Sequence, residues 1–306
     1  MPPKPDELIS TATCRAGQGI YLKTRELLPA SAVCERVGYA IALTKQLGTV
    51  MLGEHYNPEG LAALSSGMGA DGRPLPPKAY MAGRRLGWAC PQLPGVYLPD
   101  RFRRTVEEQV VRRLRQSVWT DKVVVGLLST WPKEPNKRSS AEWEALWAAV
   151  PPGTDKATAR NRTRQVVSYL RQHGWRPCGI CDLGPEAGFG PVLALAAADR
   201  QMVELTRVGE RQAVLKVQLP EVARPSARAQ WSWVSLVIDL PPTLSPSSTL
   251  KAPTLRLVNG RVRVDLPWCW APRCLRMART PKVGTGVAHD RTTEVAGTRG
   301  KATSNE

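Results

Sequence analysis

Apolar residues recur along this chain with two different periods, and the point where the period changes divides the chain. Through the first two thirds the spacing is helical. Val33, Val37, Ala40, Ile41 and Leu47 fall on one helix face, which predicts a helix over residues 31–47 that Gly48 stops, followed by a short helix after Pro58. Residues 67–99 are so dense in Gly and Pro that no regular element is expected there. Asp100 then caps a long helix whose packed stripe is Phe102, Val106, Val110 and Leu114, and the apolar run 123–128 prolongs it until Trp131-Pro132. Ser139 and Glu142 form a capping box. The helix they open places Trp143, Leu146, Trp147 and Val150 at i, i+3, i+4 and i+7, so the tryptophans read as core, and Pro151-Pro152-Gly153 closes it. Residues 154–176 predict another helix, with Thr154 as N-cap, Asp155 in its first turn and His173-Gly174 before Pro177 as its end. Pro191 opens a short Ala-rich helix reaching about Arg200.

From residue 201 the period is two. Residues 201–208 and 212–219 read as strands joined across Gly209-Glu210, and residues 231–240 as a third, rich in Val, Ile and Trp. The clearest hairpin is TLRLVNGRVRVDL: Leu255 and Leu257 alternate with polar residues, Asn259-Gly260 supplies the positive φ angles of a type I′ turn, and Val262, Val264 and Leu266 resume the alternation. One isolated strand is expected early, at residues 19–22. After Trp268 apolar content drops and periodicity vanishes, which predicts disorder. The fold class expected is α+β, a helical lobe inserted after the first strand of a small antiparallel β-barrel, with a disordered C-terminal tail. Its units are residues 1–28, 29–200, 201–268 and 269–306.

Charge turns this outline towards a partner. The 306 residues hold 43 Lys and Arg against 26 Asp and Glu, a net charge of +17 that repels itself unless a polyanion is the normal partner. Two helices concentrate it. Between residues 156 and 176 there is no acidic residue. At about 100° per residue, Ala159, Thr163, Val166 and Leu170 gather on one side of that helix while Arg160, Arg164 and Arg171 line another. Such a row of guanidinium forks matches phosphate oxygens. The helix after Asp100 carries a second row, Arg101, Arg104, Arg112 and Arg115, whose field Glu107 and Glu108 blunt. RNA and DNA are therefore the expected partners. No apolar stretch is long enough to span a membrane and no cleavable signal opens the chain, so a cytoplasmic location is expected. Seven scattered cysteines fit reduced thiols.

Other chemistry leaves little trace. Cys178-Gly-Ile-Cys181 has half the spacing of a zinc site, but Cys269 and Cys274 are a poor second pair, and structural thiols explain them better. His55, His173 and His289 have no neighbours that suggest a nucleophile or a triad, and no Gly-rich phosphate loop is present. No cofactor is expected.

The order of parts, one early strand, arginine-faced helices, then a Trp- and Val-rich sheet ending in LRLVNGRVRVDLPW, resembles the amino-terminal half of a TnpB-like transposon-encoded RNA-guided nuclease or a compact type V CRISPR effector. The resemblance spans residues 20–268. It implies that the first strand and the later barrel form a wedge domain, that the helices form a recognition lobe, and that the ligands are guide RNA and the RNA–DNA duplex. In that family a RuvC-like metal-dependent nuclease domain follows. Here the residues after Trp268 offer only Asp290 in GVAHDRTTEV, without a preceding strand or further carboxylate pair, so the expectation is a binding half that has lost the cutting half. The alternative is a basic scaffold that holds a protein partner through its Trp-rich sheet. A third reading is a small zinc protein built on Cys178 and Cys181.

Overall fold

A single strand ties the two ends of the chain together. The computed structural model describes residues 9–22, 25–185, 189–195 and 201–269. Strand β1 (Ile9–Tyr21) is 13 residues long, well beyond the four expected, and its two halves have different neighbours. Ile9 to Arg15 pair antiparallel with β9 (Arg261–Cys269), whereas Gly19 to Tyr21 pair with β6 (Trp231–Asp239) after a register shift between Ala16 and Gly19. The hydrogen-bonded path runs β3 (Val192–Ala194), β8 (Thr254–Val258), β9, β1, β6, β5 (Gln212–Pro220), β4 (Val203–Arg207), with β2 (Glu26–Leu28) on β1 and β7 (Thr249–Leu250) on β9. All pairs are antiparallel. Among the described residues β3 and β4 end the path without pairing to each other, so the ladder forms a bent sheet and no closed barrel.

Both hairpins stand where the alternation puts them. Asn259 and Gly260 turn between β8 and β9 with φ of +50° and +67°, the left-handed pair that a type I′ turn needs. Val192 to Ala194, expected to begin a helix, form instead the edge strand β3 on β8; the rest of that expected helix, from 196 to 200, lies outside the described residues, as does the tail from 270. β-branched Val192 and the neighbouring sheet edge outweigh the helix preference of the alanines that follow.

All six described helices lie between β2 and β3 in the chain. Helix α1 (Ala30–His55) packs Val33, Val37, Ala40, Leu43, Leu47 and Met51 inward and runs straight through Gly48. That glycine does not stop the helix, because it makes room: a Cβ there would lie 2.8 Å from the Phe189 ring. Asn57 caps α2 (Pro58–Ser65), its Oδ1 accepting from Gly60 N at 2.7 Å. Helix α3 (Ala79–Arg85) occupies the stretch read as loop. Its seven residues are too few to stand alone, and α4 (Asp100–Ser129) supplies the missing stability. Glu108 of α4 accepts from Tyr80 N at 2.8 Å, and Glu107 from Arg84 Nε at 2.7 Å.

Helix α4 is 30 residues long and buries Phe102, Val106, Val110 and Leu114 completely, each contributing about 1.5–3 kcal/mol. Phe102 meets Trp231 of β6 at 4.9 Å between ring centroids, and the Trp231 indole N–H donates to Tyr97 O at 3.0 Å. One continuous core therefore joins the sheet to α1 through α4. A smaller cluster, Val123, Leu127, Leu146, Val150 and Ala159, holds α5 (Ser140–Ala149) and α6 (Lys156–His173) against the last turns of α4. The capping box of α5 is formed by Ser139 and Glu142. Its tryptophans are not core: Trp143 is half-buried and Trp147 is exposed, while Leu146 and Val150 take the inward positions. Among the described residues no helix is long and apolar enough to cross a membrane.

Candidate nucleic-acid interface

Helix α6 is built to show arginine to solvent. Asp155 caps it, Oδ1 accepting from Thr158 N at 2.6 Å, and these bonds hold its carboxyl below the usual aspartate range. Thr154, the expected cap, instead donates its hydroxyl to Pro151 O at 2.6 Å and closes the preceding turn. Gly174 follows in the left-handed region with its N–H on Leu170 O at 2.8 Å. Ala159, Thr163 and Val166 are buried as the spacing predicts, and Leu170 is half-buried. Arg160, Arg164 and Arg171 are all exposed. Arg164 bonds only the Asn161 amide oxygen at 3.1 Å, and none of the three meets a carboxylate among the described residues. At about 1.5 Å rise per residue the row is roughly 16 Å long.

Helix α4 treats its arginines differently. Arg104 pairs with Asp100 at 2.7 Å and lies over the Tyr80 ring at 5.6 Å. Arg112 pairs with Glu108 at 2.7 Å, and Arg115 donates to Pro77 O at 2.6 Å and Pro76 O at 2.7 Å. Arg101 is half-buried and engaged as well. Glu107 and Glu108 do more than blunt a surface field, for both are buried and bonded into the α3 clamp. Arg84 bonds Glu107, Oε2 at 2.7 Å and Oε1 at 3.2 Å, and this pairing raises its pKa above the ordinary arginine value against the opposing effect of burial. Asp100, expected as a cap, makes no cap hydrogen bond; Pro99 holds that position. Burial pushes the Asp100 carboxyl up, but Arg84 and Arg104 together outweigh it and hold it below the usual range. The two rows do not form one surface of equally available charge.

The thiol pair is similarly committed. Ile180 N donates to Asp121 Oδ1 at 2.8 Å and Cys178 N to Asp182 Oδ2 at 2.6 Å, which fixes the loop beside a cleft of about 320 Å³ lined by Leu61, Val118 and Lys122. Burial, then the carboxylates Asp121, Asp182 and Glu59, push the Cys181 thiol up to about 11, so it stays protonated rather than acting as a thiolate. Among the described residues no group of three or more His, Cys, Asp or Glu is placed to hold a metal; Cys269 is buried at the end of β9, and Cys274 lies outside. His55 stacks on Trp88 at 4.3 Å, and burial lowers its pKa. No protein-family model matches this chain, and no curated protein matches it in sequence.

Proposed function

We propose that this protein binds nucleic acid along α6, with the backbone of structured RNA and of an RNA–DNA duplex as its ligand. The observation that carries the reading is the row Arg160, Arg164 and Arg171, exposed and, among the described residues, without a carboxylate partner, on a chain of net charge +17. Sequence specificity then comes from base pairing, while the protein reads A-form shape and phosphate. In this reading the bent sheet corresponds to a wedge barrel and the helices to the recognition lobe of a TnpB-like RNA-guided relative. Arg104, Arg112 and Arg115 serve mainly to hold α4, α3 and the loop before α3 together, and Arg101 is engaged as well.

Salt provides the test. Affinity for a structured RNA and for an RNA–DNA duplex, measured from about 50 to 200 mM salt, should fall steeply, with a log–log slope of about three or more in magnitude. Affinity that stays flat across that range overturns the reading. The protein-scaffold alternative has less support, since Trp231 is buried and Trp233 and Trp268 are half-buried in the sheet.

A further inference from the structure

Helix α5, which meets the start of α6 where Lys156 lies over Trp143, carries two stacked indoles. Trp143 and Trp147 lie 5.2 Å apart between ring centroids at 23°, and Trp147 is 38% exposed. Two cations stand over Trp143: Lys156 Nζ at 5.0 Å and the Arg138 guanidinium carbon at 6.0 Å. Arg138 is nine-tenths buried, donates from Nη1 to Thr130 O at 3.0 Å, and has no partner for Nε or Nη2 among the described residues. Glu142, the nearest acid, accepts from Ser139 N at 2.7 Å and Ser139 Oγ at 2.9 Å instead. The Glu142 carboxylate acts on Arg138 without forming an ion pair with it among the described residues, so Trp143 keeps cations against its ring.

Position connects this pair to the row. Lys156 begins α6 one turn before Arg160, roughly 40° round the helix from it and on the edge between the packed stripe and the arginine row, so the contact with Trp143 joins α5 to that edge. The aromatic run on α6, half-buried Tyr169 and His173 with exposed Trp175, begins about 160° from Arg171 and lies across the packed stripe, so it does not continue the row.

We propose that the Trp143–Trp147 stack is a platform for an unpaired nucleotide of the nucleic acid held by Arg160, Arg164 and Arg171. The base lies on the open face of Trp147 and its phosphate meets Lys156. Arg138 acts through its charge and by bracing Trp143. An indole accepts any base face, so the platform is sequence-tolerant, and one stacked base is worth about five- to a hundredfold in affinity. The inference rests on the nucleic-acid reading of α6.

Three probes test it: a blunt RNA hairpin, the same hairpin with a short unpaired extension, and that extension made abasic. The wild-type protein should bind the extended hairpin about tenfold tighter than the other two. Trp147→Ala should abolish that preference without changing blunt-hairpin affinity or thermal melting, and Trp147→Phe should restore most of it. A preference that survives Trp147→Ala, or a wild type without one, overturns the platform. The variant with Arg160, Arg164 and Arg171 all changed to Gln separates the two ideas. If it weakens all three probes alike while Trp147→Ala leaves the preference intact, only the platform falls. If it weakens none, the reading of α6 falls and the platform with it.

Discussion

Helices α4 and α6 carry arginine rows that look alike in sequence, and the structure surrounds them differently. On α4 Arg104 and Arg112 pair with the carboxylates of Asp100 and Glu108, and Arg115 is held by the Pro76 and Pro77 carbonyls, so all three side chains are engaged by the protein itself. On α6 the same side chain finds at most a neutral amide. The cause is what packs alongside. Helix α3 and the Pro-rich loop before it lie against the polar side of α4, whereas the outer side of α6 has nothing over it among the described residues. A run of arginine therefore signals a ligand only when its neighbours in space, not only in sequence, leave it unpaired.

The comparison is open to direct test. The largest effect should come from Glu107→Ala, which strips a buried carboxylate from Arg84 and from Cys90 N. A loss of about 3 kcal/mol in urea unfolding is expected, at the low end of the range for broken buried pairs because Arg84 is 37% exposed. Next, the Gln triple variant of Arg160, Arg164 and Arg171 should weaken RNA binding on the order of a hundredfold near physiological salt and flatten the salt slope by about two to three units. Its stability should move by less than about 0.5 kcal/mol, since all three positions are exposed. Changing Arg104, Arg112 and Arg115 to Gln should give the mirror image, a loss of about 1–2 kcal/mol in stability with less than about a fivefold loss in binding. Equal binding losses from the two triples would mean that only net charge matters. The smallest effect is a pH dependence. Because the folded state lowers the Asp100 pKa, its contribution is complete above the ordinary aspartate value near 3.9 and is lost as pH falls through the folded value. Asp100→Asn should therefore flatten the decline of the urea midpoint below about pH 4.

Where a local signal decides the structure, the sequence was sufficient. The stripe of Phe102, Val106, Val110 and Leu114, the Ser139–Glu142 box, the Asn259-Gly260 turn and the exposed Arg160, Arg164 and Arg171 all follow from periods and caps that operate within a few residues. What depends on distant partners was not legible. Gly48 reads as a stop until Phe189 is seen against it, and α3 reads as loop until Glu107 and Glu108 reach it. Trp143 and Trp147 share the i, i+3, i+4, i+7 pattern with Leu146 and Val150, and the pattern cannot say which members turn inward. Only the line along which α4 and α6 meet α5 decides that.

The divided pairing of β1 also has a consequence for synthesis. Thr13 donates its hydroxyl to Asp265 at 2.8 Å, across a separation of 252 residues. At roughly 5–20 residues per second, the strand that completes this pair leaves the ribosome on the order of 10–50 s after β1 does. The helices can form in the interval, because their hydrogen bonds are local. The Ile9–Arg15 half of β1 cannot pair with β9 until then, and it waits with an unpaired edge of the kind that recruits other chains or a chaperone. Residues 9–15, made early, are thus among the last described residues to find their partner, and a chain that stops before residue 261 leaves β1 without one of its two main partners.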